Sequence, residues 1–274
     1  MRRSIAKGFL IYVLALGVSI AFAFPIIWIL LTAFKTKVDV FAMPPKFLFI
    51  PTLENLRKVM EPEFAKCFQN SIVIAVLSAS FSIVLGTATA YGFSRYGGFK
   101  GSDNVLFWIL SLRMLPPIAV VVPYYIILNW ITPLKDSRIA LIAIYSIFNI
   151  SFCVWLLKGF FDEVPPELEE AAMLSGYSPA QVLFRVSLPL VRPGLVAAAI
   201  FCLIQTLNEF LLALMLTQVR AVTVPVYLSR LQKQFGMEWG QFAAAATIFV
   251  IPVAVFTVIV RKQLIRGLSF GRMK

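Results

Sequence analysis

Six long apolar runs, nearly free of charged residues, constrain the fold of this chain more than any other feature. They occupy residues 9–34, 68–94, 105–129, 139–157, 194–217 and 239–260. A helix needs about 20 predominantly apolar residues to cross a bilayer. Composition agrees, because 60% of the residues are hydrophobic and 14% are charged, whereas soluble domains are about 25% charged. The sequence therefore predicts an all-α integral membrane protein with six transmembrane helices.

A secretory signal peptide is the alternative interpretation of the first run, because Arg2, Arg3 and Lys7 precede it. The apolar core of a signal peptide is about 7–15 residues long and leads to a cleavage site of small residues. Here no charged residue occurs over residues 8–34. That length favours a transmembrane helix.

Several classes of function are disfavoured by what the sequence lacks. It has no histidine, no GxxxxGK[ST] phosphate-binding motif, and three cysteines (Cys67, Cys153, Cys202) without metal-ligand spacing. The net charge is +12, but the basic residues are scattered among loops, so anionic lipid headgroups are a simpler partner than nucleic acid. We therefore expect no catalytic residues, no cofactor, no metal and no nucleic acid. If the chain drives transport, the energy must come from an ion gradient or from another subunit.

The polar segment 160–193 lies between the fourth and fifth runs and carries signals for two short helices. Pro166 is suited to a first helical turn, and Gly176 occupies the position of a left-handed residue that ends a helix. Ser178 and Gln181, three residues apart, form a predicted capping box for the second helix. The segment therefore predicts a helix–turn–helix whose exposed small residues suit contact with another protein. A connector lying flat on the lipid is the alternative.

The same segment resembles a family motif. Bacterial ATP-binding-cassette importer permeases carry an EAA loop with the pattern E-A-A, three residues, G, nine residues, I, one residue, L-P. This chain keeps the spacing, with valine for the usual isoleucine, at Glu170, Ala171, Ala172, Gly176, Val186, Leu188 and Pro189. In that family the loop is the cytoplasmic coupling helix, which docks in a cleft of the ATPase subunit. The resemblance implies that these residues couple the chain to an ATPase.

The resemblance extends over nearly the whole chain and is closest to MalG-type carbohydrate permeases. It implies one transmembrane permease domain over residues 1–274, in the bacterial cytoplasmic (inner) membrane. It also implies a homologous second permease, two ATP-binding ATPase subunits, an extracytoplasmic solute-binding protein and a sugar-like solute as partners. Lysine and arginine are spread almost evenly over the two sides, so cytoplasmic placement of both termini is expected mainly from the resemblance.

Polar residues inside the runs mark an expected solute path. Gln205 and Glu209 are four residues apart, on one face of a predicted helix, with Asn208 beside them. Amides and carboxylates bind hydroxyl-rich ligands through several hydrogen bonds. The stretch Asn208-Glu209-Phe210 resembles the W-N-E-F-L stretch of sugar permeases, with Leu207 in place of the tryptophan.

Two further intramembrane residues belong to this candidate path. Arg113 lies in the third run beside several prolines, and Asn149 lies near the middle of the fourth. An unpaired arginine is costly in hydrocarbon, so Arg113 is expected to face a polar cavity, a partner or the interface. The alternatives are structural: Glu209 pairs with Arg113 or another helix, and Asn149 makes an interhelical hydrogen bond.

The C-terminal stretch Gly267, Leu268, Ser269 and Gly271 resembles the R-G-L-[ST]-x-G end of MalG-type permeases. In that family this tail reaches between the ATPase subunits. A basic tail lying on anionic lipid is the alternative.

The leading functional hypothesis is a permease subunit of an ATP-driven importer that works by alternating access. An ion-coupled secondary carrier is the alternative, although such carriers often contain paired broken helices and only the third run is strongly broken by proline. A purely structural membrane anchor would leave the polar face of the fifth run without a use.

Overall fold

The computed structural model describes residues 2–233 and 236–269, and it is almost entirely helical. The chain forms two compact units, Met1–Ala65 with Tyr227–Ile251 and Lys66–Val226 with Pro252–Lys274. The single permease domain predicted over residues 1–274 stays a prediction.

The helices and strands follow one another along the chain with short connections. Two short 3₁₀ turns, Leu112–Met114 and Thr132–Leu134, and a widened π-helical turn, Leu183–Ser187, lie among them. The α-helices and β-strands are α1 Arg2–Ala33, α2 Lys37–Val40, α3 Glu54–Val59, α4 Pro62–Tyr96, α5 Ser102–Ser111, α6 Pro117–Trp130, α7 Arg138–Asp162, α8 Pro166–Leu174, α9 Pro179–Val182, α10 Leu188–Leu190, α11 Arg192–Asn208, α12 Leu211–Leu216, α13 Val224–Arg230, β1 Gln232–Lys233, β2 Gly236–Met237 and α14 Trp239–Ser269.

Within the described residues, four unbroken helices are long and apolar enough to cross a membrane, and these are α1, α4, α7 and α14. Two bent pairs meet the same test when each pair is taken as one span, which gives up to six candidate spans. These pairs are Ser102–Met114 with Pro117–Trp130 and Pro179–Leu190 with Arg192–Asn208. Helix α14 continues through Ser269, beyond the run predicted to end at residue 260. The helical membrane architecture expected from the sequence is therefore present.

The third predicted span is broken in the middle. Ser102–Met114 and Pro117–Trp130 meet at an angle of 94°. Leu115 and Pro116 are extended, because a residue that precedes proline is driven out of the helical region. Pro117 then begins α6 at a position where its missing N–H costs nothing.

The fifth predicted span also differs from the expected single helix over residues 194–217. Helix α11 ends at Asn208, Glu209 is extended, and α12 begins at Leu211. The carboxylate of Glu209 accepts the backbone N–H groups of Leu212 and Ala213, at 2.8 and 3.1 Å. A carboxylate at this position stabilises the start of a new helix, which explains why the first helix stops.

In the first unit, the side-chain amide of Asn55 attaches α3 to the end of α1. Asn55 donates to the carbonyl oxygens of Ala33 and Lys35, at 3.1 and 2.8 Å. Lys35 is buried, and its ammonium lies 3.9 Å from the ring centroid of Trp28. Burial lowers the pKa of this ammonium, and the charge of Asp39 opposes the shift.

The second unit has a core in which α4, α7 and α11 pack together. A Cβ added to Gly86 would lie 2.4 Å from Cβ of Cys153, so only glycine allows α4 and α7 to approach this closely. Cys153 and Cys202 are both buried free thiols, with sulfur atoms 3.4 Å apart. This core fixes the positions of α7 and α11.

Asp136 joins two loops of the second unit. It precedes α7, and its two carboxylate oxygens accept the backbone N–H groups of residues 218–221 at 2.8 to 3.2 Å. Burial raises the pKa of this carboxyl, but the four hydrogen bonds outweigh burial and the net pKa is lowered. The loop before α7 is thereby tied to the loop after α12.

Candidate functional site

A cavity of about 240 Å³ lies in the second unit among the broken third span, α7 and the broken fifth span. Its polar and charged lining includes Arg113, Asn149, Gln205 and Glu209. The complete lining is Arg113, Leu115, Pro117, Tyr145, Phe148, Asn149, Phe152, Gln205, Thr206, Glu209 and Leu212. The cavity therefore combines aromatic surface with hydrogen-bonding groups, as sites for small ligands commonly do.

The two helix breaks and one helix face account for this arrangement. Arg113 belongs to the short 3₁₀ turn just before the proline break, and Glu209 lies at the break after α11. On α7, Tyr145, Phe148, Asn149 and Phe152 recur at the i, i+3, i+4, i+7 spacing of a single helix face. The two breaks therefore place Arg113 and Glu209 in the same cavity lining as this face of α7.

The carboxylate of Glu209 accepts three hydrogen bonds from within the chain. Its Oε2 accepts from the hydroxyl of Tyr145 at 2.5 Å and from the N–H of Ala213, and its Oε1 accepts from the N–H of Leu212. The carboxylate thus links α7 to the start of α12. This geometry satisfies a half-buried carboxyl group with hydrogen bonds rather than with an arginine.

Arg113 does not pair with Glu209 in this structure. Its guanidinium carbon lies 4.6 Å from the ring centroid of Phe152 and 6.0 Å from that of Trp155. Among the described residues the ion pairs join other side chains. Arg113 is therefore held by aromatic stacking, which supports a cation without neutralising it.

The amides of the cavity differ in how firmly they are held. Asn149 is buried and donates to the hydroxyl of Thr206 at 3.0 Å, and that hydroxyl also lies 3.3 Å from the hydroxyl of Ser78. Gln205 lines the cavity with an exposed side chain that makes no hydrogen bond within the described residues. Asn208 donates to the carbonyl of Ile204 at 2.8 Å and is not part of the lining.

The segment 160–193 forms the expected pair of short helices, α8 and α9. Gly176 has φ of +90°, and it donates to the carbonyl of Met173 while Tyr177 donates to that of Ala172. This pair of bonds is a Schellman motif, which closes α8 and turns the chain sharply. Ser178 and Gln181 make both bonds of the predicted capping box at the start of α9.

Helix α8 is fastened to the rest of the unit by Glu169, which is 4% exposed. Its carboxylate accepts from the hydroxyls of Tyr91 and Ser187, at 3.0 and 2.7 Å. Nε of Arg95 lies 3.0 Å from Oε1, in an ion pair whose N–H is not aligned for a hydrogen bond. These contacts connect α8 to α4 and to the π-helical turn before α10.

The outer face of the segment is accessible. Glu170 and Ala171 are exposed, Ala172 is half-buried, and Leu174 is 92% exposed at the end of α8. Further along, Val186 and Leu188 are half-buried and Pro189 is exposed. The exposed residues include the carboxylates Glu163, Glu167 and Glu170 and the apolar side chains Leu168, Met173, Leu174, Tyr177 and Phe184.

The family of the chain follows from a match to a family model over residues 82–269, which include both the cavity and this helical segment. The model describes the binding-protein-dependent transport system inner membrane component. The chain belongs to this family. It is thus a multi-pass membrane component of a transport system.

Named relatives of this inner membrane component span nearly its whole length. It is 37% identical to a probable ABC transporter permease of Sinorhizobium fredii, over 92% of this chain and 91% of the relative. It is 31% identical to the diacetylchitobiose uptake permease of Streptomyces coelicolor, over 100% of both chains. It is also 31% identical to the trehalose/maltose permease of Thermococcus litoralis, over 100% of this chain and 99% of the relative.

Solved structures share the fold of this inner membrane component. A chain of a bacterial ABC transporter that imports the acidic polysaccharide alginate superposes with a TM-score of 0.78 at 21% identity, covering 96% of this chain and 98% of the other. A chain of the MetNI methionine transporter superposes with a TM-score of 0.62 at 20% identity, covering 73% and 96%.

The structure of this inner membrane component brings together four of the five residues predicted for the solute path: Arg113, Asn149, Gln205 and Glu209. Sequence reasoning did not identify Tyr145, Phe148, Phe152 or Thr206. Helical spacing from Asn149 would have found the first three, because they share its face of α7. Among the predicted tail residues, Gly267, Leu268 and Ser269 continue α14, and Gly271 lies outside the described residues.

Proposed function

We propose that this chain is the permease subunit of an ATP-driven importer for a sugar-like, polyhydroxyl solute, and that segment 160–193 couples it to ATPase subunits. The observation that carries the proposal is the geometry of that segment. Its carboxylates and several apolar side chains are exposed, while Glu169 fastens α8 to α4 and to the π-helical turn. A surface that is both accessible and rigidly attached is suited to transmitting force from a partner.

The cavity supports a solute path in the same unit. Helix α7 carries Tyr145, Asn149 and Phe152 and leads into segment 160–193, and α11, which follows the segment, carries Gln205. A displacement of the segment is therefore passed directly to two helices that line the cavity. In our proposal, ATP-driven closure of the ATPase dimer moves this segment and switches the side from which the cavity is accessible.

Carbohydrate is the proposed solute class. Two relatives with the identities given above are named for trehalose and maltose and for diacetylchitobiose, and a third, from Agrobacterium fabrum, is named for sulfoquinovosyl glycerol and is 32% identical. Amide groups at Asn149 and Gln205 beside the rings of Phe148 and Phe152 match the mixed polar and apolar surface of a sugar.

The proposal includes the remaining partners and the orientation. The complex contains a homologous second permease, two ATPase subunits and an extracytoplasmic solute-binding protein, and both termini of this chain are cytoplasmic. Asn208 and the tail residues Gly267, Leu268, Ser269 and Gly271 remain candidates for contacts made in the complex. The family match supports this ATP-driven system over the ion-coupled carrier.

Charge reversal at Glu170 tests the coupling surface. The chain is purified from its native membrane in mild detergent, as wild type, as Glu170→Lys and as the control Glu61→Lys, and the proteins retained with it are identified. Glu61 is also exposed but lies far along the chain from the segment. We expect the wild type and the control to retain an ATP-binding subunit and a second permease.

Glu170→Lys should remain in the membrane and lose the ATP-binding subunit, because a cation replaces a carboxylate on the docking surface. Full retention by Glu170→Lys would contradict the docking role. A wild-type chain that is purified alone, and transports solute in ion-loaded vesicles without ATP, would replace the importer with the secondary carrier.

A further inference from the structure

The charge balance of the cavity depends on two side chains, Arg113 and Glu209. Glu209 accepts hydrogen bonds from Tyr145 and from two backbone N–H groups, so three of the roughly four acceptor positions of its carboxylate are used inside the protein. Each of those donors is held by secondary structure or by α7. These three hydrogen bonds hold the carboxyl group of Glu209 in place from within the chain.

Arg113 is in the opposite situation. It stacks on Phe152 and makes no ion pair or hydrogen bond with the described residues. A guanidinium that stacks through its face keeps its N–H donors in the plane, where they remain available to a ligand. Arg113 is therefore a cation of the cavity lining that has no ion pair within the described residues.

Arg113 is exposed and lies in the third predicted membrane run, where an arginine is costly unless it is paired or faces a water-filled cavity. The ring of Phe152 lies against the guanidinium, and the break at Leu115–Pro116 ends the short turn whose backbone carries Arg113. Planar guanidinium groups bind carboxylate, sulfonate and phosphate oxygens through paired hydrogen bonds. Arg113 is therefore available to bind an acidic group of a ligand in the cavity.

We infer that the solute of this permease is an acidic carbohydrate, whose carboxylate, sulfonate or phosphate group is bound by Arg113. The inference rests on the proposed function and adds the charge of the solute to it. Gln205, which makes no hydrogen bond within the described residues, and the side-chain carbonyl of Asn149 receive the hydroxyls. The aromatic rings of Phe148 and Phe152 cover the apolar face of the sugar.

The test uses the complete complex, purified with its solute-binding protein. Mass spectrometry identifies the molecule that the binding protein retains, and its acid group is named from the measured composition. Uptake of that molecule, and of the same molecule with its acid group blocked as a neutral amide or ester, is then measured in proteoliposomes. The chains compared are wild type, Arg113→Gln, and Arg57→Gln, in which an exposed arginine outside the cavity is changed.

A retained molecule with an acid group, and an apparent affinity for it that falls roughly 10- to 100-fold in Arg113→Gln, are the expected results. The neutral derivative should be transported poorly by wild type and no worse by Arg113→Gln, and Arg57→Gln should behave as wild type. A neutral retained solute would overturn the inference, and so would equal losses for both probes. Loss of the second permease from Arg113→Gln would show that Arg113 pairs with that subunit instead.

These outcomes are separate from those of the proposed function. If no ATP-binding subunit accompanies the wild-type chain, the importer itself fails. If the complex is intact and its solute is neutral, only the inference about Arg113 fails.

Discussion

At Glu209 a single carboxylate determines both a helix boundary and part of a cavity wall. It accepts N–H groups at the start of α12 and the hydroxyl of Tyr145 on α7. The four-residue spacing of Gln205 and Glu209 predicts that both lie on one polar helix face, but it does not predict that the helix ends there. The break depends on tertiary contact with Tyr145, which lies 64 residues earlier.

Asp136 offers a test of the same principle outside the membrane spans. Replacement by Asn keeps the backbone, because both residues tolerate its φ of +52°. The amide nitrogen of Asn cannot accept, so two of the four N–H groups of residues 218–221 lose their partner. We expect the free energy of unfolding to fall by about 1–3 kcal/mol, measured by denaturation in detergent.

The pH dependence of Asp136 follows from its lowered pKa. A carboxyl whose folded pKa lies below its unfolded value of about 3.9 stabilises the fold above that value, and the stabilisation is lost as pH falls through the folded pKa. Wild type should therefore lose its advantage over Asp136→Asn below about pH 4. A constant difference between the two proteins across this range would contradict the account.

Helix α8 is attached to the second unit through the buried Glu169, while its other face, which includes Glu170, is exposed. Glu169→Gln keeps the shape of the side chain but removes the charge that faces Arg95. Removing one partner of a buried ion pair costs up to about 3–5 kcal/mol. We expect faster backbone hydrogen exchange over residues 166–174, because the contacts to α4 and Ser187 weaken.

The neighbouring residue provides the control for this experiment. Glu170 is exposed and makes no ion pair within the described residues. Glu170→Gln should leave hydrogen exchange in α8 unchanged. Equal acceleration in both variants would show that helix propensity or the helix dipole, rather than the buried contacts of Glu169, holds the element.

Local signals predicted local structure well. The capping box at Ser178 and the left-handed turn at Gly176 follow from residue types a few positions apart, and the structure contains both. The 94° bend in the third span and the π-helical turn over Leu183–Ser187 were not predicted in that form. Proline chemistry predicts that a helix bends near Pro116, but the angle depends on what the two halves pack against.

The candidate site was predictable to a similar degree. Intramembrane polar residues are conspicuous in an apolar sequence, and four of the five selected line one cavity. The role of Glu169 was missed because a glutamate near a helix start is adequately explained by the helix dipole. Its burial becomes evident only when α4 brings Tyr91 and Arg95 to it.

On the scale of the molecule, the cavity and the coupling surface belong to one continuous stretch of chain. Helix α7 precedes segment 160–193 and α11 follows it, and both pack with α4 in a shared core. Interiors packed in this way transmit displacement rather than absorb it. A partner that contacts the exposed face of the segment can therefore act on the helices that line the cavity.

The most direct test is photocrosslinking from the tip of α8. A photoreactive amino acid replaces Leu174, which is 92% exposed, or the control Leu48, which is 94% exposed and lies in the connector between α2 and α3. After irradiation of native membranes, adducts are identified by mass spectrometry. The account predicts an adduct between position 174 and an ATP-binding subunit, and none from position 48. Adducts of position 174 with lipid alone, or equal capture of the ATP-binding subunit from both positions, would contradict it.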